Sequence, residues 1–363
     1  MKRWDEIGRE VDRYFHQRTD EDRFSGVVRV TQGTTELYSG CYGLASRSWG
    51  IPVRLSTRFD TASLTKLFTA VAALQQIDAG AFKLDTPVTP YLGLTGTSIS
   101  SEVNVFHLLT HSSGIGDDAE EEAGEDYADL WKETPNYSIA EAKDFLPQFV
   151  HKQANFAPGT GCRYCNCGFV LLGLMVEKAT GTTYRDYVRE RIFSRVAMEQ
   201  SDFFNLERCV PDLAEGCDPI RGDRGHVKAW KRNIYSFPPI GSPDSGAHVT
   251  AADLDRFLRA LRSGMLLSQE STELFFTPQV HYQDRDGWEM RYGLGMWFYV
   301  EPDGHVVCCQ KEGYNAGVSA VMRYFPDDDI NLIILSNMAE GAWEPAWEMH
   351  RRIIESARET PPT

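Results

Sequence analysis

No apolar run in the 363-residue chain is long enough to span a bilayer. The opening Met1-Lys2-Arg3-Trp4-Asp5-Glu6-Ile7 has basic residues but lacks the apolar stretch that would follow them in a secretory signal. A cytoplasmic location without a membrane partner is therefore the expectation. Positive charge is scarce: 37 Lys and Arg against 52 Asp and Glu give a formal net charge of −15, which disfavours nucleic acid and anionic lipid as partners. Eight cysteines in a chain of this length form no small-scaffold disulfide framework and fit a reducing compartment. A Gly-x-Ser-x-Gly elbow, a phosphate loop and a dinucleotide fingerprint are all missing. There is no internal repeat. The one biased stretch is the acidic run from Asp117 to Asp126, whose simplest reading is a solvated surface loop and whose sharper one is a metal-binding or cation-attracting lip.

With 42% hydrophobic residues the chain has enough apolar side chains for a large core, in one large or two medium domains. Trp4, Ile7, Val11, Tyr14 and Phe15 recur at helical spacing and predict an amphipathic first helix. Phe24 to Thr31, a turn at Gln32-Gly33, and Glu36 to Tyr38 read as a β-hairpin. From about Leu84 to His248 the texture is helices and long loops, with apolar helices over Phe169–Ala179 and Tyr184–Val196 and a Thr250 cap opening a helix to Leu261. Beyond Tyr292 strands return as two hairpins, Gly295–Val300 with His305–Gln310 and Val318–Phe325 with Ile330–Ser336. A last amphipathic helix carries Trp343, Trp347, His350 and Ile354. Strands at both ends of the chain predict an α/β (α+β) fold: one antiparallel sheet built from residues 1–85 and 250–363, with a helical domain, residues 86–249, inserted between them.

Three short segments carry chemistry. Ser63-Leu64-Thr65-Lys66 opens an Ala-rich apolar helix, and side chains three apart share a face, so the Lys66 amine reaches the Ser63 oxygen. A desolvated lysine is a suitable base for a serine nucleophile. Tyr164-Cys165-Asn166, after a Pro158-Gly159 turn, delivers a phenol and a carboxamide just before the next helix; Tyr164 relays protons if a nearby ammonium lowers its pKa, and Asn166 can bond both Lys66 and a substrate carbonyl. Lys311-Glu312-Gly313 stands at the end of a strand. Lys311 suits an anionic group, Gly313 permits close approach by substrate, and the Tyr314 N–H with that of Ser63 could complete an oxyanion hole. Taken singly, each has a plain structural reading, Ser63 as a helix cap, Tyr164 as packing and Lys311 as a solvated cation; taken together they point to catalysis.

These segments resemble the serine β-lactamase and penicillin-binding-protein superfamily, in the branch of class C β-lactamases, D-stereospecific peptidases and β-lactamase-fold esterases. The resemblance also covers His107-Leu108-Leu109-Thr110-His111-Ser112-Ser113-Gly114, Leu171-Leu172-Gly173 and Tyr292-Gly293-Leu294-Gly295. It implies a β-lactamase/transpeptidase-like fold and acylation of Ser63, with Lys66 and Tyr164 as base and acid. Substrate is then held by Asn166, Lys311, Gly313 and Tyr314, and no metal or organic cofactor is implied. The expected partner is a small ester, peptide or lactam, and the oligomeric state stays open. The acidic Glu312 departs from the usual third motif and shifts the expectation to an esterase or amidase acting on a small acyl ester or D-amino-acid peptide. The alternatives are a β-lactamase or D,D-carboxypeptidase, and a non-catalytic binding protein retaining the fold. If the strand alternates strictly, Glu312 points behind the cleft. His107 and His111 are expected to end a helix rather than share a metal. Cys162, Cys165, Cys167, Cys308 and Cys309 are expected to be buried small hydrophobes, the last two on opposite faces of a strand. Trp288, Tyr292 and Trp297 are assigned to neither cleft nor core.

Overall fold

The computed structural model describes residues 2–285 and 287–358. Eight strands form one antiparallel sheet: β1 (Gly26–Gln32), β2 (Thr35–Tyr42), β3 (Val280–Arg285), β4 (Trp288–Tyr292), β5 (Trp297–Val300), β6 (Val306–Asn315), β7 (Val318–Phe325) and β8 (Ile330–Ser336), in the order β2-β1-β8-β7-β6-β5-β4-β3. The two ends of the chain meet where β1 pairs β8, with Gly26 opposite Ser336 and Gln32 opposite Ile330. Side chains alternate between faces along a strand, and here both faces are covered. Ile333 and Leu335 belong to one core, Leu332 and Ile334 to the other. The second core lies under α1 (Lys2–Asp20) and α5 (Trp343–Arg358). The first continues through α2 (Lys66–Asp78), α3 (Asn166–Thr180) and α4 (Ala251–Arg262).

The antiparallel sheet flanked by helices is the expected fold class. A division into residues 1–85 with 250–363 and an inserted 86–249 remains our proposal. Its outer ends, residues 1 and 359–363, lie outside the described residues, and one buried cluster crosses both internal boundaries. Among the described residues no helix is long and apolar enough to cross a membrane.

Several elements differ from the sequence expectation. β3 and β4 precede Tyr292, and a polar hairpin of Cys217–Arg221 with Val227–Arg232 interrupts the helical middle. These segments have little apolar periodicity, and pairing with a neighbour makes them strands. Helix Tyr184–Val188 passes into a π turn over Arg189–Phe193 and a 3₁₀ turn to Val196. β6 runs on to Asn315, so Lys311-Glu312-Gly313 lies within a strand rather than at its end.

Strict alternation along β6 sorts its side chains. Cys308 and Cys309 fall in opposite cores, as expected. Gln310 and Glu312 face α5, where the Gln310 amide donates to Glu312 and accepts from the fully buried Arg323. Arg323 also donates to the Ala346 carbonyl at 3.1 Å and lies over the Trp347 ring. Glu312 therefore does point behind the sheet. Trp288 packs there as well, half-buried against Tyr299 and Trp347 at the margin of that core. Removing one partner of a buried ionic network leaves an uncompensated charge. Arg323→Ala should therefore destabilise the fold by about 3–5 kcal/mol, read from the denaturant midpoint; a cost below about 1 kcal/mol would mean that this cation does not balance Glu312.

Candidate active site

The site forms where the turn before α2, the start of α3 and the middle of β6 meet. Ser63 lies in a 3₁₀ turn, Ala62–Thr65, directly before α2. The segment ahead of α4 pins this turn. The Thr61 N–H and hydroxyl both donate to the Ala247 carbonyl, at 3.0 and 2.8 Å, and the Ala247 N–H donates to Thr65 Oγ1 at 3.0 Å. Ala62 takes a φ of +43°, an uncommon region for a residue with a Cβ, and its N–H is held by Asp60 Oδ1 at 2.7 Å. Ser63 is left partly exposed between buried neighbours.

The Lys66 side chain is fully buried and returns one helical turn to Ser63. Its Nζ donates to Ser63 Oγ at 3.0 Å, Asn166 Oδ1 at 2.8 Å and the Asp244 carbonyl oxygen at 2.8 Å. Three acceptors match the three protons of an ammonium. Burial pulls the Lys66 pKa below its ordinary value, while the carboxylates of Asp244, Glu121, Asp117 and Asp118 oppose the shift.

Asn166 is the first residue of α3, and no side chain of the adjoining residue caps that helix. Asp117 caps it from elsewhere in the chain: its carboxylate accepts from the N–H groups of Asn166 and Cys167 at 2.8 and 2.9 Å. The Asn166 amide then bonds Lys66 through Oδ1 and Glu121 Oε2 through Nδ2, at 3.0 Å. The expected amide donor to a substrate carbonyl is thus already shared with a carboxylate.

The Tyr164 ring lies between two amines, with Lys66 Nζ 5.0 Å and Lys311 Nζ 4.9 Å from its centroid. The expected lowering of its pKa does not occur. Burial first, and the Glu121 carboxylate next, raise it well above the usual phenol value, and the nearby Ser63 hydroxyl offsets only part of this. Lys311 is buried, and burial together with the nearby Lys66 charge depresses its pKa well below that of an ordinary lysine.

Gly313 is required by the protein's own backbone. A Cβ there would stand 1.9 Å from the Thr61 carbonyl oxygen and 3.1 Å from the Leu64 nitrogen. This contact brings β6 against the Ser63 turn. Tyr314 follows with an exposed side chain whose ring centroid is 6.0 Å from that of Trp343.

His107 closes a capping box with Asn104 at the start of helix Val105–Leu109, as a helix-end role requires. His111 is buried against the rings of Tyr164, Phe169 and Tyr292, and its Nδ1 accepts from the Cys165 N–H at 3.1 Å. Tyr292 therefore packs behind the site. Cys165, Cys167, Cys308 and Cys309 are buried free thiols, and Cys162 is half-buried. Asp117, Asp118 and Cys167 approach closely enough to hold a metal ion. However, Asp117 is engaged at the start of α3, and Cys167 Sγ accepts from the Asp118 N–H at 3.2 Å.

The acidic run corrects the surface-loop reading. Asp117 and Asp118 are almost wholly buried, while Glu122 to Asp126 are exposed. Of the groups that bond the site, sequence reasoning missed Asp117, Glu121 and the Asp244 carbonyl. A backbone carbonyl leaves no signature in a sequence, and two acids inside an acidic run resemble their solvated neighbours.

An added methyl at Gly313 meets backbone, which yields less readily than a side chain. Gly313→Ala should cost about 1–3 kcal/mol and slow the reaction of Ser63 with a fluorophosphonate, measured by thermal unfolding and intact mass. Wild-type values for both would show that strand and turn are not held in contact.

Known proteins share this chain's fold and sequence over most of its length. The chain is 30% identical over 273 residues to Esterase EstB of Burkholderia gladioli, covering 70% of this chain and 69% of that one. It is 26% identical over 327 residues to Penicillin-binding protein 4 of Amycolatopsis lactamdurans, covering 83% and 78%. The crystal structure of a penicillin binding protein from Bacillus halodurans superposes with a TM-score of 0.84 at 35% identity, over 94% of this chain and 98% of that one. The Beta-lactamase family matches residues 11–352, and the chain belongs to this family of serine hydrolases.

Proposed function

We propose that the protein forms an acyl-enzyme on Ser63 and hydrolyses a small acyl ester or amide, D-amino-acid peptides included. The observation that carries the reading is the buried Lys66 amine 3.0 Å from the Ser63 hydroxyl. The three acceptors around Nζ can hold all the protons of the charged form. Reaction begins from the neutral fraction, which burial enlarges. Neutral Lys66 takes the Ser63 proton as Oγ attacks the acyl carbon. Tyr164, a neutral phenol, gives its proton to the leaving group and regains one from Lys66. The N–H groups of Ser63 and Tyr314 receive the developing oxyanion. Water then attacks acyl-Ser63 by the same proton path and releases the acid.

Two features favour uncharged esters and amides over β-lactams and D,D-peptides, which present a carboxylate. The cation at Lys311 is weakened by burial and by Lys66. The carboxylate of Glu121, bonded to Asn166, repels an anion beside the same amide.

A fluorophosphonate or fluorescent penicillin should label the wild type and leave Ser63→Ala unlabelled; label on neither would favour a binding protein that retains the fold. Short chromogenic esters should turn over faster than a chromogenic cephalosporin, and the reverse order would select the β-lactamase. Lys66→Ala should lower the acylation rate by about 10²–10⁴, with Tyr164→Phe costing less; an equal loss would mean that the pair acts as one unit. Because the base must be neutral, the rate should rise with pH. Because burial lowers the Lys66 pKa, the rise should come at lower pH than for an exposed lysine. A rate that falls across that range would exclude Lys66 as the base.

A further inference from the structure

The acidic segment is held in place on both sides of Glu121. Before it, Lys152 Nζ donates to the carbonyl oxygens of Asp117 and Asp118 at 2.6 and 2.7 Å, and Glu120 pairs with Arg163 at 2.7 Å. After it, Glu122 accepts from the Tyr164 N–H at 2.9 Å and the Tyr282 hydroxyl at 3.0 Å. Between these anchors the turn Glu121–Ala123 sets the Glu121 carboxylate on the Asn166 amide.

A carboxamide can be rotated by half a turn with little change in shape, exchanging a donor for an acceptor. Here the two ends meet opposite charges: Oδ1 faces the Lys66 ammonium and Nδ2 faces Glu121. Half a turn would put N–H groups against the cation and the carbonyl oxygen against the carboxylate. The Lys66 ammonium and Glu121 select the same orientation, and when Lys66 is neutral, able to accept as well as donate, Glu121 is the partner that still opposes the half-turn.

We propose that Glu121 is a positioning residue, which locks the Asn166 amide so that its oxygen holds Lys66 against Ser63. This assignment rests on the roles given above to Ser63, Lys66 and Asn166. Glu121 also sets the charge at the amine. Lys66 faces Glu121, Asp117, Asp118 and Asp244, with Lys311 opposing them. Glu121 in turn faces Lys66, Asp117 and Asp244, and its charge reaches the phenols of Tyr127, Tyr164 and Tyr314. Its negative charge favours the ammonium, so removing that charge lets Lys66 lose its proton at lower pH.

The test is the rate of fluorophosphonate labelling of Ser63 against pH for the wild type, Glu121→Gln, Glu121→Ala and a charge-matched control at the exposed Glu133, Glu133→Gln. Melting temperature is followed in parallel. Glutamine keeps an acceptor for the amide. Its plateau should stay near the wild-type value while the rising limb moves to lower pH by about half a unit or more. Alanine should move the limb likewise and lower the plateau about tenfold, with the control unmoved. A labelled wild type whose plateau coincides with that of Glu121→Ala overturns the positioning role alone, and a limb shared with Glu121→Gln, or an equal shift in the control, overturns the effect of its charge on Lys66. No label on the wild type overturns the reading of Ser63 and this role with it.

Discussion

A charged amine buried away from water is costly unless its protons all find acceptors, and the site is organised around that constraint. The Lys66 amine is fully buried beside Ser63. It is tolerable there because a serine oxygen, an amide oxygen and a backbone carbonyl surround it. Each acceptor comes from a different part of the chain. The turn before α2 supplies Ser63, the start of α3 supplies Asn166, and the segment ahead of α4 supplies the Asp244 carbonyl.

The supporting structure keeps those three parts in register. The Thr61 and Thr65 bonds to Ala247 tie the nucleophile turn to the segment carrying Asp244. Asp117 ties the α3 start to the acidic segment. The absence of a side chain at Gly313 lets β6 press on Thr61. Behind β6, Gln310 and Glu312 balance Arg323, so the strand that faces the site is braced from its other side by a buried ionic network. The left-handed Ala62 is a local cost borne by this surrounding order.

The electrostatics of the site follow from burial more than from pairing. Lys66, Lys311 and His111 are all pushed toward their neutral forms, and Tyr164 is kept a neutral phenol. The acidic residues work against this at Lys66 only in part. Lys66 is therefore easier to deprotonate than an exposed lysine.

Much of this was legible in the sequence because it depends on spacing. The Ser63–Lys66 interval is one helical turn, the alternation along β6 places Cys308, Cys309 and Glu312, and the apolar runs mark α2, α3 and the central strands. Those patterns carried the sheet joined by both chain ends and the candidate site residues. What depended on distant neighbours was not legible. The outer strands β3 and β4 exist through pairing, the Tyr164 pKa rises because burial and Glu121 outweigh the effect of Ser63, and a side chain at Gly313 would meet the chain's own Thr61. The acidic run shows the division most plainly: its composition fixes a negative charge, but only the packed fold decides that Asp117 caps a helix and Glu121 bonds an amide while their neighbours face water. Sequence sets which groups are available at short range, and tertiary packing sets what each one meets, because desolvation and hydrogen-bond partners belong to the assembled surroundings rather than to the residue.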